Sequence, residues 1–190
     1  MKLNKFYKSK INSDYLDEID KIYKLNFKTM INQIQRKQWT SKQQKRQKNR
    51  IIPIIALYKT FLQLGFSNTD AKELTRELAK KNALKANKIL KIFSLIPQFS
   101  KIFRVLFKKG MEGNEIWTSE VLVDKDKELK VDITKCLWKD TCDFFEYPEI
   151  CEIFCSLDWV VFGKQKKLEL YRTQTLGMGG EKCNFTFKLK

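Results

Sequence analysis

Three groups of residues in the carboxy-terminal third of the chain have types and spacings able to do chemistry. Cys151, Cys155 and Asp158 stand at i, i+4 and i+7, which places them on one face of a helix. Two thiols and a carboxylate on one stripe fit the edge of a metal site, a nucleophile with its base, or core packing plus a cap, since cysteine often packs as a small hydrophobe. Arg172 is the second group. In a strand over residues 168–176, Leu168, Leu170, Arg172, Gln174 and Leu176 share a face, and three of the five are leucines. A guanidinium among apolar side chains demands a partner. That partner is either Asp158, in an ion pair locking helix to sheet, or the carboxylate of a bound substrate. The third group is Gly177-Met178-Gly179-Gly180, between two strand-like segments. Clustered backbone N–H groups there could hold an anion; a plain hairpin turn is the other reading. Cys183 opens the last strand on the same face as Phe185, Phe187 and Leu189.

Absences narrow the chemistry. The chain has no histidine, so no Ser-His-Asp triad, Cys-His dyad or histidine metal cluster exists. The five cysteines follow C-x5-C-x8-C-x3-C-x27-C, without the C-x2-C knuckle of a zinc site. No metal and no cofactor is expected. An acid or base must be Asp, Glu, Lys, Tyr or Cys.

The elements that would position these groups follow from periodicity. Ser13 or Asp14 caps a helix running to about Trp39, with Leu16, Ile19, Ile22, Tyr23, Met30 and Ile34 on its apolar stripe. Residues 40–50 are polar and basic, a linker or a continuing solvated helix. Pro53 suits the first turn of the next helix and Gly65 its end. The cluster Ser67-Asn68-Thr69-Asp70 caps another, Pro97 interrupts it, and Phe99, Ile102, Phe103, Leu106 and Phe107 form a further stripe up to Gly110. The period then changes. Residues 116–123 and 129–133 read as strands joined by a turn. Residues 136–147 are irregular or weakly helical, Pro148 opens a helix ending at Gly163, and two more strands follow over 168–176 and 183–189. The expected fold is therefore α+β: about four helices layered on a small antiparallel sheet of about four strands with one inserted helix, ββαββ. Residues 1–50 read as a basic helical arm or linker and residues 51–190 as a single domain.

The net charge of +16 is unevenly spread. Residues 1–50 carry 14 basic and 4 acidic side chains, residues 51–110 carry 12 and 3, and residues 111–190 carry 12 and 15. Only 6 of the 38 basic residues are arginine, whereas phosphate and base recognition favours the arginine fork. A dedicated nucleic-acid function is not expected. The stretch from Leu84 to Lys109 is amphipathic enough to lie on anionic lipid, with core packing as the alternative. The longest apolar run, Ile51 to Leu57, is broken by Pro53 and far too short to span a membrane. The amino terminus lacks a signal-peptide pattern. An odd number of cysteines fits a reducing compartment, so a cytoplasmic location is expected.

Four ordered segments carry a resemblance. Val131-Asp132-Ile133-Thr134-Lys135-Cys136 comes first. Glu152-Ile153-Phe154-Cys155-Ser156-Leu157-Asp158 is the second, and Tyr171-Arg172-Thr173-Gln174-Thr175-Leu176 the third. The fourth is Gly180 with Cys183-Asn184-Phe185-Thr186-Phe187. Together with Pro53 to Lys59, Gly65 and the Ala71 region, they resemble the L-2-amino-thiazoline-4-carboxylic acid hydrolase family over roughly residues 50–190. Asn184 stands where Asp is expected. The resemblance implies hydrolytic opening of a cyclic amidine-like C–N or C–S bond in a small carboxylate, giving a carbamoyl-cysteine on the way to cysteine. It implies Arg172 as a clamp for the substrate carboxylate and Asp158 as activator of water or binder of the amidine. It also implies Cys155 or Cys183 as a nucleophile, and Gly179 and Gly180 in a turn whose N–H groups stabilise developing charge. A binding module for small carboxylates or thiols, without turnover, would use the same residues.

Overall fold

The computed structural model describes residues 3–111 and 115–190. The chain divides into two compact units, Met1–Glu77 and Leu78–Lys190.

The first unit is helical. Helices α1 (Leu3–Tyr7) and α2 (Ser13–Gln35) precede α3 (Ser41–Arg46), a π-helical turn (Gln47–Ile51) and α4 (Ile52–Gln63). Pro53 sits in the first turn of α4; the chain before it is already helical, and the π-helical turn, with Ile52 N–H bonded to Gln47 O, falls just ahead of the missing N–H. Helix α4 is the core of the unit. Ile55, Ala56, Leu57 and Phe61 are fully buried, as are Ile19, Met30 and Ile34 of α2, the helix that α4 packs against. Asn26, buried on α2, donates to Thr60 Oγ1 (3.1 Å) and Gln63 Oε1 (2.7 Å), while Thr60 donates to the Ala56 carbonyl. Gly65 ends α4 at φ 86°. Its N–H bonds Leu62 O and that of Phe66 bonds Phe61 O, the paired closure that a left-handed glycine permits.

This unit refines three expectations. The cap of α2 is Asn12, whose Oδ1 accepts the Asp14 N–H, rather than Ser13 or Asp14. The polar stretch 40–50 is helical, started by a reciprocal cap between Thr40 and Gln43. The compact units part after Glu77 rather than at residue 50, because the residues after Pro53 bury their apolar side chains with α2.

Helix α5 (Asn68–Phe93) runs across the division. Ser67 Oγ accepts the Asp70 N–H and donates to the Asp70 carboxylate, so Asp70 closes the cap. In the second unit α6 (Phe99–Met111) follows, then β1 (Trp117–Lys125), β2 (Glu128–Cys136), α7 (Leu137–Phe144), α8 (Cys151–Phe162), β3 (Leu168–Tyr171) and β4 (Cys183–Leu189). The sheet is antiparallel throughout, in the order β1-β2-β4-β3. The α+β class is as expected. Six α-helices rather than about four precede the sheet among the described residues, since α1 and α3 are too short to show a period.

Alternation gives the sheet one apolar face. Leu129, Val131 and Ile133 of β2 stand opposite Phe187, Phe185 and Cys183 of β4. Phe99 and Phe103 of α6 cover that face, with Phe107, Phe162 and Leu176 packed beside them. Arg104 fastens α6 to the β1–β2 turn through Asp124 and Asp126, each at 2.7 Å. The third strand is shorter than expected. It ends at Tyr171, because Asn184 Oδ1 accepts the N–H groups of Thr173 (3.1 Å) and Gln174 (3.0 Å) in place of a ladder carbonyl. Residues 137–144, expected to be irregular or weakly helical, form a helix. Among the described residues no helix is long and apolar enough to cross a membrane.

Candidate functional site

The site lies wholly in the second unit, where the last turns of α8 meet the segment between β3 and β4. Tyr171 and Arg172 leave β3 with the alternation of the strand intact, so Arg172 continues the inward face of Leu168 and Leu170. Its side chain is only 3% exposed. Nη1 donates to Asp158 Oδ2 at 2.5 Å, and Nη2 donates to the Cys155 carbonyl at 2.7 Å. The guanidinium carbon lies 5.1 Å from the Phe185 ring centre and 5.6 Å from that of Trp159. The fork is thus filled by protein acceptors and sandwiched by aromatic faces, which favour a cation.

Asp158 differs from its partner. A third of its side chain is exposed, so the pair is sealed at the arginine end and open at the carboxylate end. Burial pushes the Asp158 carboxyl up to about 6, with Arg172 pulling the other way.

All five thiols gather around the same place and all are free. Cys155 follows Cys151 by one helical turn, and the two thiols are within hydrogen-bonding reach of each other. Cys151 in turn meets Cys142 of α7. The contact with Cys142 chiefly raises the Cys151 thiol, and the contact with Cys151, followed by burial, raises Cys155. Burial pushes Cys136 up to about 12 and also raises Cys183, against the Leu176 N–H that donates to the Cys183 sulfur at 3.3 Å. The Thr175 hydroxyl lies against Cys155 and works in the opposite sense. The thiols of Cys136, Cys151, Cys155 and Cys183 are therefore held in their neutral form at neutral pH. Among the described residues no three His, Cys, Asp or Glu side chains are arranged to hold a metal ion.

The glycine turn is built from internal bonds. Residues Leu176–Met178 form a single 3₁₀ turn, closed by Gly179 at φ 85°. The N–H groups of Met178 and Gly180 bond Thr175 O, and that of Gly179 reaches Leu176 O. The amide donors of Gly179 and Gly180 are thus spent on the turn itself. Gly177 is required for another reason, because a Cβ there would lie 2.6 Å from Cys151 Sγ and 2.7 Å from Cys155 Sγ. Only glycine lets this backbone pass over the two thiols.

Of the residues singled out from sequence, Arg172, Asp158, Cys155 and Cys183 come together. Sequence reasoning missed Trp159, Phe185 and the clamp made by Asn184. Trp159 follows Asp158 and Phe185 alternates with Cys183, so a search for cation-binding rings near Arg172 would have found both.

These features define an α+β protein with a buried arginine–carboxylate pair beside a thiol cluster. The chain matches the L-2-amino-thiazoline-4-carboxylic acid hydrolase family over residues 21–187, and it belongs to that family. No curated protein matches it. Two solved structures are similar at 10% identity and a TM-score of 0.31: the Fe(II) unliganded H-NOX protein from K. algicida, covering 90% of this chain and 94% of that one, and a point mutant of it, covering 100% and 93%. A likeness of that size carries no argument.

Proposed function

We propose that the chain is a hydrolase that opens the ring of a small cyclic amidine carboxylate of the 2-amino-thiazoline-4-carboxylate kind. Family membership supports the reaction class. The observation that supports a role for this site is the Asp158–Arg172 pair, open to solvent only at its carboxylate end. In this reading Asp158 is the base. It takes a proton from water as the water oxygen bonds to the ring carbon between nitrogen and sulfur. The C=N electron pair moves onto the ring nitrogen, which takes the remaining proton of the added hydroxyl as the carbamoyl C=O forms; the C–S bond breaks with its electron pair leaving on sulfur, and the proton held by Asp158 passes to that sulfur. The product is a carbamoyl-cysteine with a free thiol, to be consumed by a reaction that removes the carbamoyl group and yields cysteine. A carboxyl raised to about 6 is largely ionised at neutral pH yet basic enough to take the proton.

Arg172 acts here as a positioning residue. Both of its terminal nitrogens hold protein acceptors, so it fixes the Asp158 carboxylate rather than the substrate's. Cys155 and Cys183 line the site as neutral thiols. A nucleophilic role for Cys155 requires its proton to leave first, and nearby Asp158 disfavours the thiolate. Gly179 and Gly180 shape the turn. A cytoplasmic location suits five free thiols.

The test is turnover of 2-amino-thiazoline-4-carboxylate by the purified chain, read as carbamoyl-cysteine formed. Asp158→Asn is expected to lower the rate roughly 10²–10⁴-fold, and Cys155→Ser much less. Absence of turnover in the parent chain removes the proposal; a Cys155→Ser loss as deep as that of Asp158→Asn replaces water with the thiol as nucleophile. The free thiols gathered at the site favour a second reading, a non-catalytic small-molecule or thiol-sensing binding module. A ligand-dependent rise in melting temperature without product selects it.

A further inference from the structure

The second unit carries a surface that the hydrolase reading does not use. The end of α5, the connection 94–98 and the start of α6 form a helical hairpin. Phe93 packs on Phe99 with ring centres 5.5 Å apart, and Phe99 and Phe103 are buried in the sheet core, so the inner side of the hairpin is fully engaged. Asn87 ties α5 down from below by donating to the carbonyls of Val161 and Gly163 at 2.9 Å each. Much of what remains outside is apolar. Ile89, Ile92 and Leu95 are 68, 70 and 73% exposed, and Ile96, Val105 and Leu106 are exposed as well. Large aliphatic side chains grouped in this way are uncommon on a surface that meets only water.

The charge around the patch has one sign. Between Leu78 and Met111 there are 9 basic and no acidic residues. Arg104 and Lys108 are engaged with the β1–β2 turn, but Lys85, Lys88, Lys91 and Lys101 are exposed at the apolar end. An apolar tip with a lysine collar is the pattern of a surface that sinks into the headgroup layer of an anionic bilayer: aliphatic groups enter the acyl boundary while ammonium groups meet the phosphates. A second copy of the chain would bring two lysine collars together. A nucleic acid would satisfy the lysines and leave the isoleucines and leucines in water.

We propose that the α5–α6 hairpin docks the protein peripherally on anionic phospholipid membranes, with Ile92, Leu95 and Ile96 inserted and Lys85, Lys88 and Lys91 on the headgroups. This docking is independent of the hydrolase reading. The test is co-sedimentation of the full chain with vesicles of phosphatidylglycerol and phosphatidylcholine, against pure phosphatidylcholine, at low and high salt. The expected result is binding to the anionic vesicles alone, lost at high salt. Leu95→Glu with Ile96→Glu should abolish it, and Lys85→Glu with Lys88→Glu should weaken it roughly tenfold or more. Lys125→Glu with Lys127→Glu, the same charge change on the exposed β1–β2 turn, should bind as the parent does. All these positions are exposed, and circular dichroism verifies that each variant is folded. Four results overturn the proposal: no vesicle binding by the parent, equal binding to phosphatidylcholine, parent-like binding by the Leu95/Ile96 variant, or equal loss in the Lys125/Lys127 control.

Discussion

Arg172 and Asp158 form an asymmetric pair: 2.5 Å separates Nη1 from Oδ2, yet the arginine side chain is sealed and the aspartate side chain is one-third open. The asymmetry sets which partner the fold can lose. Removing the aspartate strands a cation between two aromatic rings, whereas removing the arginine leaves a carboxylate that water can reach.

Asp158→Ala is therefore expected to destabilise the chain by about 3–5 kcal/mol, the usual cost of orphaning a buried charge. Arg172→Met, which puts an apolar chain in an apolar slot, is expected to cost about 1–3 kcal/mol. Urea unfolding of both variants decides the order; equal or reversed costs would show that the arginine end is hydrated.

The proton on Asp158 links this pair to pH. Its folded carboxyl titrates near 6, above the unfolded value of about 3.9. The folded state thus holds the proton more tightly between those limits. The Asp158 contribution to stability is full below about 4 and is lost as pH rises through about 6. The melting temperature of the parent relative to Asp158→Asn should fall across that window and then level. If Asp158 is the base, turnover rises through the same midpoint. A flat difference would refute the shift.

Asn184 should tolerate Asp but not Ala. Its Oδ1 takes two backbone N–H groups and its Nδ2 donates to Thr173 Oγ1 at 2.7 Å. Asn184→Asp keeps the acceptor, and the Thr173 hydroxyl can turn to donate, so the change is expected within about 1 kcal/mol. Asn184→Ala leaves two N–H groups without their acceptor and is expected to cost about 1–3 kcal/mol. Thermal unfolding distinguishes the two, and hydrogen exchange at Thr173 and Gln174 should quicken only in the Ala variant.

Gly177→Ala drives a methyl group into Cys151 Sγ and Cys155 Sγ. A loss of about 1–3 kcal/mol is expected. Cys155→Ala in the same chain removes one of the clashing sulfurs, so the double variant should lose less than the two single changes together. Strict additivity would place the turn farther from α8.

The raised thiols predict slow chemistry. Alkylation of Cys151, Cys155 and Cys183 near pH 8 should be far slower in the folded chain than in urea, since the thiolate is the reacting form. A cysteine that reacts at the unfolded rate would have to be a thiolate in the fold.

The α+β class, the edges of most elements and the inward face of Arg172 were all legible in the amino-acid sequence. Each rests on local geometry. Side chains alternate in a strand and return every three to four residues in a helix, so Leu168, Leu170 and Arg172 must share a face wherever the strand goes. Capping works over the same short range, which is why Gly65 marks the end of α4 correctly, whereas Pro53 lies within a helical run that begins at Ser41. The resemblance carried by Cys155, Asp158 and Arg172 led to the right family for the same reason: it rests on ordered local segments.

What fills the arginine fork was not legible there, because a guanidinium buried in a core is satisfied equally by a protein carboxylate or by a ligand. The placement of α8 across the end of β3 chose Asp158 and the Cys155 carbonyl. The same placement gathered five thiols separated by up to 47 positions and turned Gly177 from a turn residue into a spacer. Asn184 ended β3 early through a side-chain bond across 10 and 11 positions, a contact that no periodicity records. Such partners depend on which surfaces pack, and packing is settled by burial summed over the whole unit rather than by any one stretch of chain.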